Sequence, residues 1–226
     1  MNPALRECPW EGHHGGFRHY IVNSFNNPQF TWNERFADEA FLFGEEPNAY
    51  LVQQRWQLQS GRTLALADGE GRNSVWLARE GLRVDAFDFS PNAVKKARRL
   101  AARHHVQVNF TCADWQSFDW KPAYYHNVVG IFFQFAAPDE RVELFRRIDD
   151  SLTPGGVLVI QGYTPAQLQF KTGGPGKLDH LYDEALIRSA FSGYTVLDLS
   201  IYEAEIAEGP AHSGMSGLLG FVGRKP

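Results

Sequence analysis

Residues 63 to 73 read TLALADGEGRN. A short apolar run enters a turn with glycines at 69 and 71 and leaves it in a helical pattern. Open α/β sheets make this junction where a strand hands over to a helix, and nucleotide-like ligands bind beyond the carboxyl end of such a strand. A second apolar run, VDAF, ends on Asp88. A carboxylate at that tip is placed to accept hydrogen bonds from ribose hydroxyls. The loop and the acid together point to an adenosine-type cofactor.

The remaining chain fits that reading. Strands are expected at Thr63 to Ala67, Val84 to Phe87, Val106 to Thr111, Val128 to Phe133 and Val157 to Ile160. Helical patterns fall between them. Ser90 caps one helix with Pro91 in its first turn, and Ala93, Val94, Ala97, Leu100 and Ala101 form its buried stripe. Strands that alternate with helices imply a doubly wound, mostly parallel sheet. Thr195 to Ala207 and Leu218 to Arg224 are extended runs joined by a Gly/Pro loop, which adds an antiparallel C-terminal edge. The predicted fold is therefore α/β, with a doubly wound, mostly parallel seven-stranded sheet. Ahead of it, Trp32, Phe36 and Ala40 recur at helical spacing, and Tyr50 to Trp56 resume the pattern after Glu45 to Asn48. Residues 1–58 are read as an N-terminal arm and helical lid over the active site, and residues 59–226 as the cofactor-binding domain.

Composition narrows the function classes. The 226 residues suffice for one core of ordinary size. Net charge is −4, which does not advertise nucleic acid or an anionic membrane as a partner. No apolar stretch approaches the roughly 20 residues that span a bilayer, and the first residues carry no apolar signal core, so a cytoplasmic location is expected. Cys8 and Cys112 lie far apart without metal-ligand spacing, so neither a disulfide framework nor a metal site is expected.

The stretch ALADGEGRNSVWLA resembles the first motif of class I S-adenosylmethionine-dependent methyltransferases, most closely the small bacterial branch that includes tellurite-resistance and thiopurine methyltransferases. Later landmarks of the resemblance are Asp88-Phe89-Ser90, Ala113-Asp114-Trp115, LTPGG at 152–156 and GYTPAQL at 162–168. Three positions depart from that pattern. Ala65 stands where the family has an acid in its first strand, Ala67 replaces the first glycine, and Asn127 replaces an Asp that opens the fourth strand. The resemblance implies the methyltransferase fold and S-adenosyl-L-methionine as cofactor.

The residues just beyond the strands are then the candidates. Ala67, Gly69 and Gly71 let the backbone approach the cofactor. Asp68 and Glu70 can meet its ammonium group. Two carboxylates in this loop would repel the pyrophosphate of a nicotinamide dinucleotide and suit a cationic amino-acid tail, which favours S-adenosylmethionine over NAD. Asp88 is assigned to the ribose, Phe89 to the adenine face, and Asp114 to the adenine amino group with Trp115 alongside. Phe132 can keep water from the sulfonium. Arg35, in WNERF, matches the N-terminal cover of the resembled family and can face the cofactor carboxylate or an anionic acceptor. Gln134, Tyr163 and His212 complete the acceptor side, with Tyr163 and His212 as catalytic candidates.

Methyl transfer from a sulfonium is an in-line displacement that chiefly needs alignment and desolvation. Gln134-Phe135-Ala136-Ala137 follows the fourth strand where amide methyltransferases carry an Asn/Asp-Pro-Pro motif. The expected acceptor is therefore a small molecule or soft anion, a thiol or chalcogen oxyanion, handled by a monomer or homodimer. The alternatives are a cofactor-binding regulatory or vestigial protein on the same fold and, behind it, an NAD-dependent oxidoreductase.

Overall fold

The computed structural model describes residues 28–226. The arm expected before Pro28 lies outside the described residues. The elements run α1 (Pro28–Arg35), α2 (Ala49–Gln53), β1 (Arg62–Leu66), α3 (Arg72–Arg79), β2 (Arg83–Asp88), α4 (Pro91–Arg103), β3 (Val108–Cys112), β4 (Tyr125–Ile131), α5 (Pro138–Ser151), β5 (Leu152–Tyr163), α6 (Gln167–Phe170), α7 (Glu184–Ala190), β6 (Thr195–Ala207) and β7 (Ser213–Arg224).

The strands form one seven-stranded sheet in the order β3-β2-β1-β4-β5-β7-β6. The first five pair in parallel, and β7 runs antiparallel to both β5 and β6. The sequence expectation of a mostly parallel doubly wound sheet with an antiparallel end therefore holds. The antiparallel strand lies one place in from the edge. Chain order reverses between β1 and β4, and this switch point opens a cleft at the strands' carboxyl ends.

Alternation along the strands divides the core. Leu64, Leu66, Val128, Leu158 and Ile160 pack on one face with Phe145 and Ile148 of α5. Ala65, Val84, Ala86, Val129, Val157 and Val159 pack on the other with Leu51 and Leu77. Residues 63–66 of β1 and 127–130 of β4 are buried on both faces, as central parallel strands are. The Ser90 hydroxyl accepts from Ala93 N at 3.2 Å and caps α4, and the expected stripe of that helix is buried.

Three expectations shift. The first helix stops at Arg35 instead of reaching Ala40. Beyond it the backbone serves a buried ion pair. Lys96 Nζ donates to Asp38 O at 2.7 Å and to Ala40 O at 2.5 Å, which takes those carbonyls out of a helical ladder. The turn expected at Pro154 to Gly156 lies within a longer β5, because Gly155 and Gly156 exchange hydrogen bonds with Lys225. Cys112 is disulfide-bonded, contrary to expectation. No helix among the described residues is long and apolar enough to cross a membrane.

Candidate active site

The cleft at the switch point encloses about 770 Å³, within the usual range for cofactor and small-molecule sites. Two non-glycine residues at its floor hold positive φ. Ala67, just past β1, has φ 44°, and Phe132, just past β4, has φ 53°. Hydrogen bonds hold the backbone there: Asp68 N donates to Phe87 O at 3.0 Å and Phe132 N to Gln161 O at 2.8 Å. The chain accepts local strain where it turns away from the sheet into the site.

Asp88 stands at the tip of β2 and lines the cleft. One carboxylate oxygen accepts from Gly69 N at 3.0 Å and the other from Ser90 N at 2.9 Å. Each oxygen retains a lone pair for a ribose hydroxyl. Burial pushes its carboxyl up to about 6, against the hydrogen bonds from Ser90 and Gly69 and with a further rise from Glu70. Asp68 is raised further, to about 7, again chiefly by burial. Its carboxylate accepts from the Ser74 N and hydroxyl, so it secures the start of α3 as well as lining the cleft.

Glu70 and Gly71 are placed elsewhere. Glu70 is buried and turned away from the cavity. One oxygen accepts from Leu42 N at 2.8 Å and Phe43 N at 3.3 Å, and the other lies 2.5 Å from Lys96 Nζ. It fastens the segment after α1 to the loop, so the expected meeting with an ammonium group is replaced by a structural ion pair. Gly71 begins α3 at φ 91°, and a Cβ there would stand 2.7 Å from the Ala97 Cβ. Its role is close packing of α3 on α4. Gly69, by contrast, is open: an added Cβ would meet nothing nearer than Phe36 Cζ at 3.8 Å.

Phe89, Asp114 and Trp115 line the cleft beside Asp88, as expected. One Asp114 oxygen is committed to the turn that follows, accepting from Gln116 N at 3.0 Å and from the Ser117 N and hydroxyl at 2.7 Å. Burial raises its carboxyl, but these bonds outweigh it and the net shift is downward. The Trp115 ring carries the Arg147 guanidinium over its face at 5.3 Å.

The opposite wall is aromatic. His212 is 8% exposed and its ring lies 4.4 Å from Phe43, 4.6 Å from Phe132 and 5.9 Å from Tyr163 between centroids. Burial is the chief cause that lowers its imidazole to about 4, helped by Arg72 and Arg35 and opposed by Glu208. Arg35 lines the cleft and stacks on Trp32 at 4.2 Å. Gln134 departs from expectation: it lines the wall, but its amide is fully used. It accepts from Tyr163 N at 2.6 Å and donates to Tyr163 O and His180 O, joining two backbone segments as a peptide unit would.

Sequence reasoning missed Arg72, Trp32, Phe43 and the glycine-rich segment 173–177, all of which line the cleft. TGGPGK at 172–177 was a legible signal, because clustered glycines mark close backbone approach. Ala65 lines the cleft from β1. Asn127 does not. It is buried near the other end of β4, where it exchanges hydrogen bonds with the Gln59 backbone at 2.8 and 2.9 Å.

A family model described as a methyltransferase domain matches residues 64–156, which span β1 to the start of β5. The matched stretch carries the strands and loops that build the inner side of the cleft, and there the chain is similar to S-adenosyl-L-methionine-using methyltransferase domains. Among characterised proteins, a carboxy-S-adenosyl-L-methionine synthase of Geobacter sp. (strain M21) is 38% identical over 82 residues, 34% of this chain and 32% of that relative. The chain thus matches about a third of that relative's length. Solved structures extend the likeness over the whole fold. One, described by the conversion of a disulfide bond into a thioacetal group during echinomycin biosynthesis, has TM-score 0.68 at 18% identity, over 87% of this chain and 92% of that one. TehB from Haemophilus influenzae has TM-score 0.66 at 13% identity, over 88% and 67%. At those identities they establish the fold.

The site suits that cofactor on its own geometry. Asp88 offers a free lone pair on each oxygen, Gly69 leaves open space above the backbone, and the aromatic wall supplies a water-poor chamber beyond them.

Proposed function

We infer that this chain transfers the methyl group of S-adenosyl-L-methionine to a small-molecule acceptor of the thiol or chalcogen-oxyanion type. The observation that carries the reading is the pairing of Asp88 and open Gly69 on one side of a single cleft with an aromatic chamber on the other. Asp88 binds the ribose, Phe89 and Trp115 flank the adenine, and Asp114 uses its remaining oxygen for the amino group. Phe132, Phe43 and Trp32 exclude water from the sulfonium, which raises the weight of alignment and desolvation in the displacement. Residues 28–58 act as the lid. The protein works in the cytoplasm, as a monomer or homodimer, on neither nucleic acid nor membrane, and belongs with the tellurite-resistance and thiopurine branch.

A second reading has its own support. The relative from Geobacter is named for making carboxy-S-adenosyl-L-methionine, and Arg35 puts a guanidinium group at the cleft where a carboxylate can be held. One experiment separates the two. The protein is incubated with methyl-labelled S-adenosyl-L-methionine and a panel of thiols, selenite, tellurite and small carboxylic acids, and both products are weighed by mass spectrometry. A methylated acceptor with S-adenosylhomocysteine supports the first reading. A carboxylated cofactor supports the second. Calorimetric binding of NAD without binding of S-adenosylmethionine refutes both.

A further inference from the structure

Two buried polar groups on the aromatic wall have no partner among the described residues. The Tyr163 hydroxyl and His212 Nδ1 each lack a hydrogen bond there, although Tyr163 is 1% and His212 8% exposed. Native folds rarely leave such groups unpaired, and neighbouring orphans on a cleft wall are complementary to something that enters it. The two rings stand edge to face at 88°.

The surroundings narrow the ligand. Phe43 and Phe132 press on His212, and Phe132 lies 4.6 Å from Tyr163. The glycine-rich segment closes the outer side so tightly that a Cβ at Gly174 would stand 2.6 Å from the Tyr163 ring, and one at Gly173 3.0 Å from its hydroxyl. The charged groups acting on His212 are Arg72 from α3, Arg35 from α1 and Glu208 beside β6. Arg72 and Glu208 neutralise each other at 2.6 Å. Arg35 stacks on Trp32 at 4.2 Å, at the mouth of the same cleft. The lining around His212 and Tyr163 is aromatic and suits a sulfur group, which packs favourably on such rings.

We propose that His212 and Tyr163 form the acceptor subsite, that it takes a neutral thiol, and that His212 receives the thiol proton as the methyl group moves. The inference rests on the methyl-transfer reading above. The thiol sulfur attacks the methyl carbon, the carbon–sulfonium bond breaks with its electron pair returning to the cofactor sulfur, and the S–H proton passes to the imidazole. The products are a thioether, S-adenosylhomocysteine and an imidazolium. One positive charge is present before and after, so the chamber never holds additional net charge. Burial keeps His212 neutral beforehand, ready to accept, while Tyr163 stays protonated and donates to the thiol sulfur.

The test uses thiols of graded acidity, from 2-mercaptoethanol to nitro-substituted thiophenols, with wild type, His212→Asn, His212→Gln and Tyr163→Phe. Binding of S-adenosylhomocysteine and the melting temperature are checked for each. For alkyl thiols at pH 7 the His212 variants lose at least about 100-fold in kcat. For thiophenols already ionised the loss stays below about threefold. The wild-type rate is flat from pH 6 to 8, whereas the variants climb about tenfold per pH unit as the thiolate forms. Tyr163→Phe raises KM for the thiol and leaves cofactor binding unchanged. Should the His212 variants not fold, the flat wild-type profile and the Tyr163→Phe KM decide the question. Equal losses for alkyl and aryl thiols, or a wild-type rate that tracks the thiolate fraction, overturn the inference and leave methyl transfer standing. Transfer to tellurite or selenite but to no thiol does the same. Failure to bind S-adenosylmethionine removes the underlying reading instead.

Discussion

Arg72 Nη2 lies 2.6 Å from a Glu208 carboxylate oxygen, with Arg72 buried and Glu208 largely so. The pair joins the first residue of α3, directly after the glycine loop, to the β6–β7 hairpin that carries His212. Asn48 braces it, donating to Glu208 at 2.9 Å and to Gln161 at 2.6 Å. The glycine loop, the Asn48 segment and the aromatic wall therefore share one network. Single replacement by Arg72→Met or Glu208→Leu strands a buried charge and is expected to cost about 3–5 kcal/mol in urea unfolding. The double replacement should cost less than the sum by more than about 1 kcal/mol. Strict additivity would show that the pair contributes no coupling.

Asp88→Ala should weaken S-adenosylmethionine at least about tenfold in a folded protein, since it removes two charge-assisted hydrogen bonds of roughly 1.5–3 kcal/mol each. Because Asp88 titrates near 6 and accepts best when ionised, wild-type affinity should hold above pH 7 and decline below 6. Calorimetry across pH 5 to 8 checks both. A variant with unchanged affinity would leave Asp88 a purely structural brace for Gly69 and Ser90.

Ala67→Gly should stabilise the protein. At φ 44° alanine sits in the left-handed region, which costs a non-glycine residue roughly 1–2 kcal/mol. Glycine removes that strain and returns part of the gain as unfolded-chain entropy, so the net expectation is about 0.5–1 kcal/mol. A lower unfolding midpoint would mean that the alanine methyl packs more usefully than its backbone is strained.

His212 should make the fold sensitive to acid. Its folded pKa is depressed to about 4 from 6.5, so its contribution is complete above pH 6.5 and is lost as the pH falls toward 4. The loss by pH 4.5 is about 2–3 kcal/mol. Urea unfolding at pH 7.5 and 4.5 should therefore show a smaller acid penalty in His212→Gln than in wild type. An identical penalty would place the acid sensitivity elsewhere.

Period and punctuation made the sheet legible. Apolar runs of strand length separated by helical stripes encode parallel pairing, and the extended run from Thr195 to Ala207 appears in the structure with those bounds. Ser90 and Pro91 marked their helix start because capping is local chemistry. The place of Asp88 in the cleft was legible for the same reason, since it ends its strand and strand ends gather at one edge.

What sequence could not rank was the choice among nearby charges. In DGEG, Asp68 and Glu70 look alike, two residues apart. Only packing turns Glu70 away to Lys96 and the Leu42 and Phe43 amides, while Asp68 keeps the cleft. Sequence also gave no reason to pair Arg72 with Glu208, 136 residues later, or to bury His212 among Phe43, Phe132 and Tyr163. Local propensity and periodicity act over a few residues and determined the class of fold and which residues stand at the strand ends. The buried ion pairs and the orphaned groups of the aromatic wall depend on distant segments meeting in a low-dielectric interior. There each charge must find a partner, and only the tertiary structure says which.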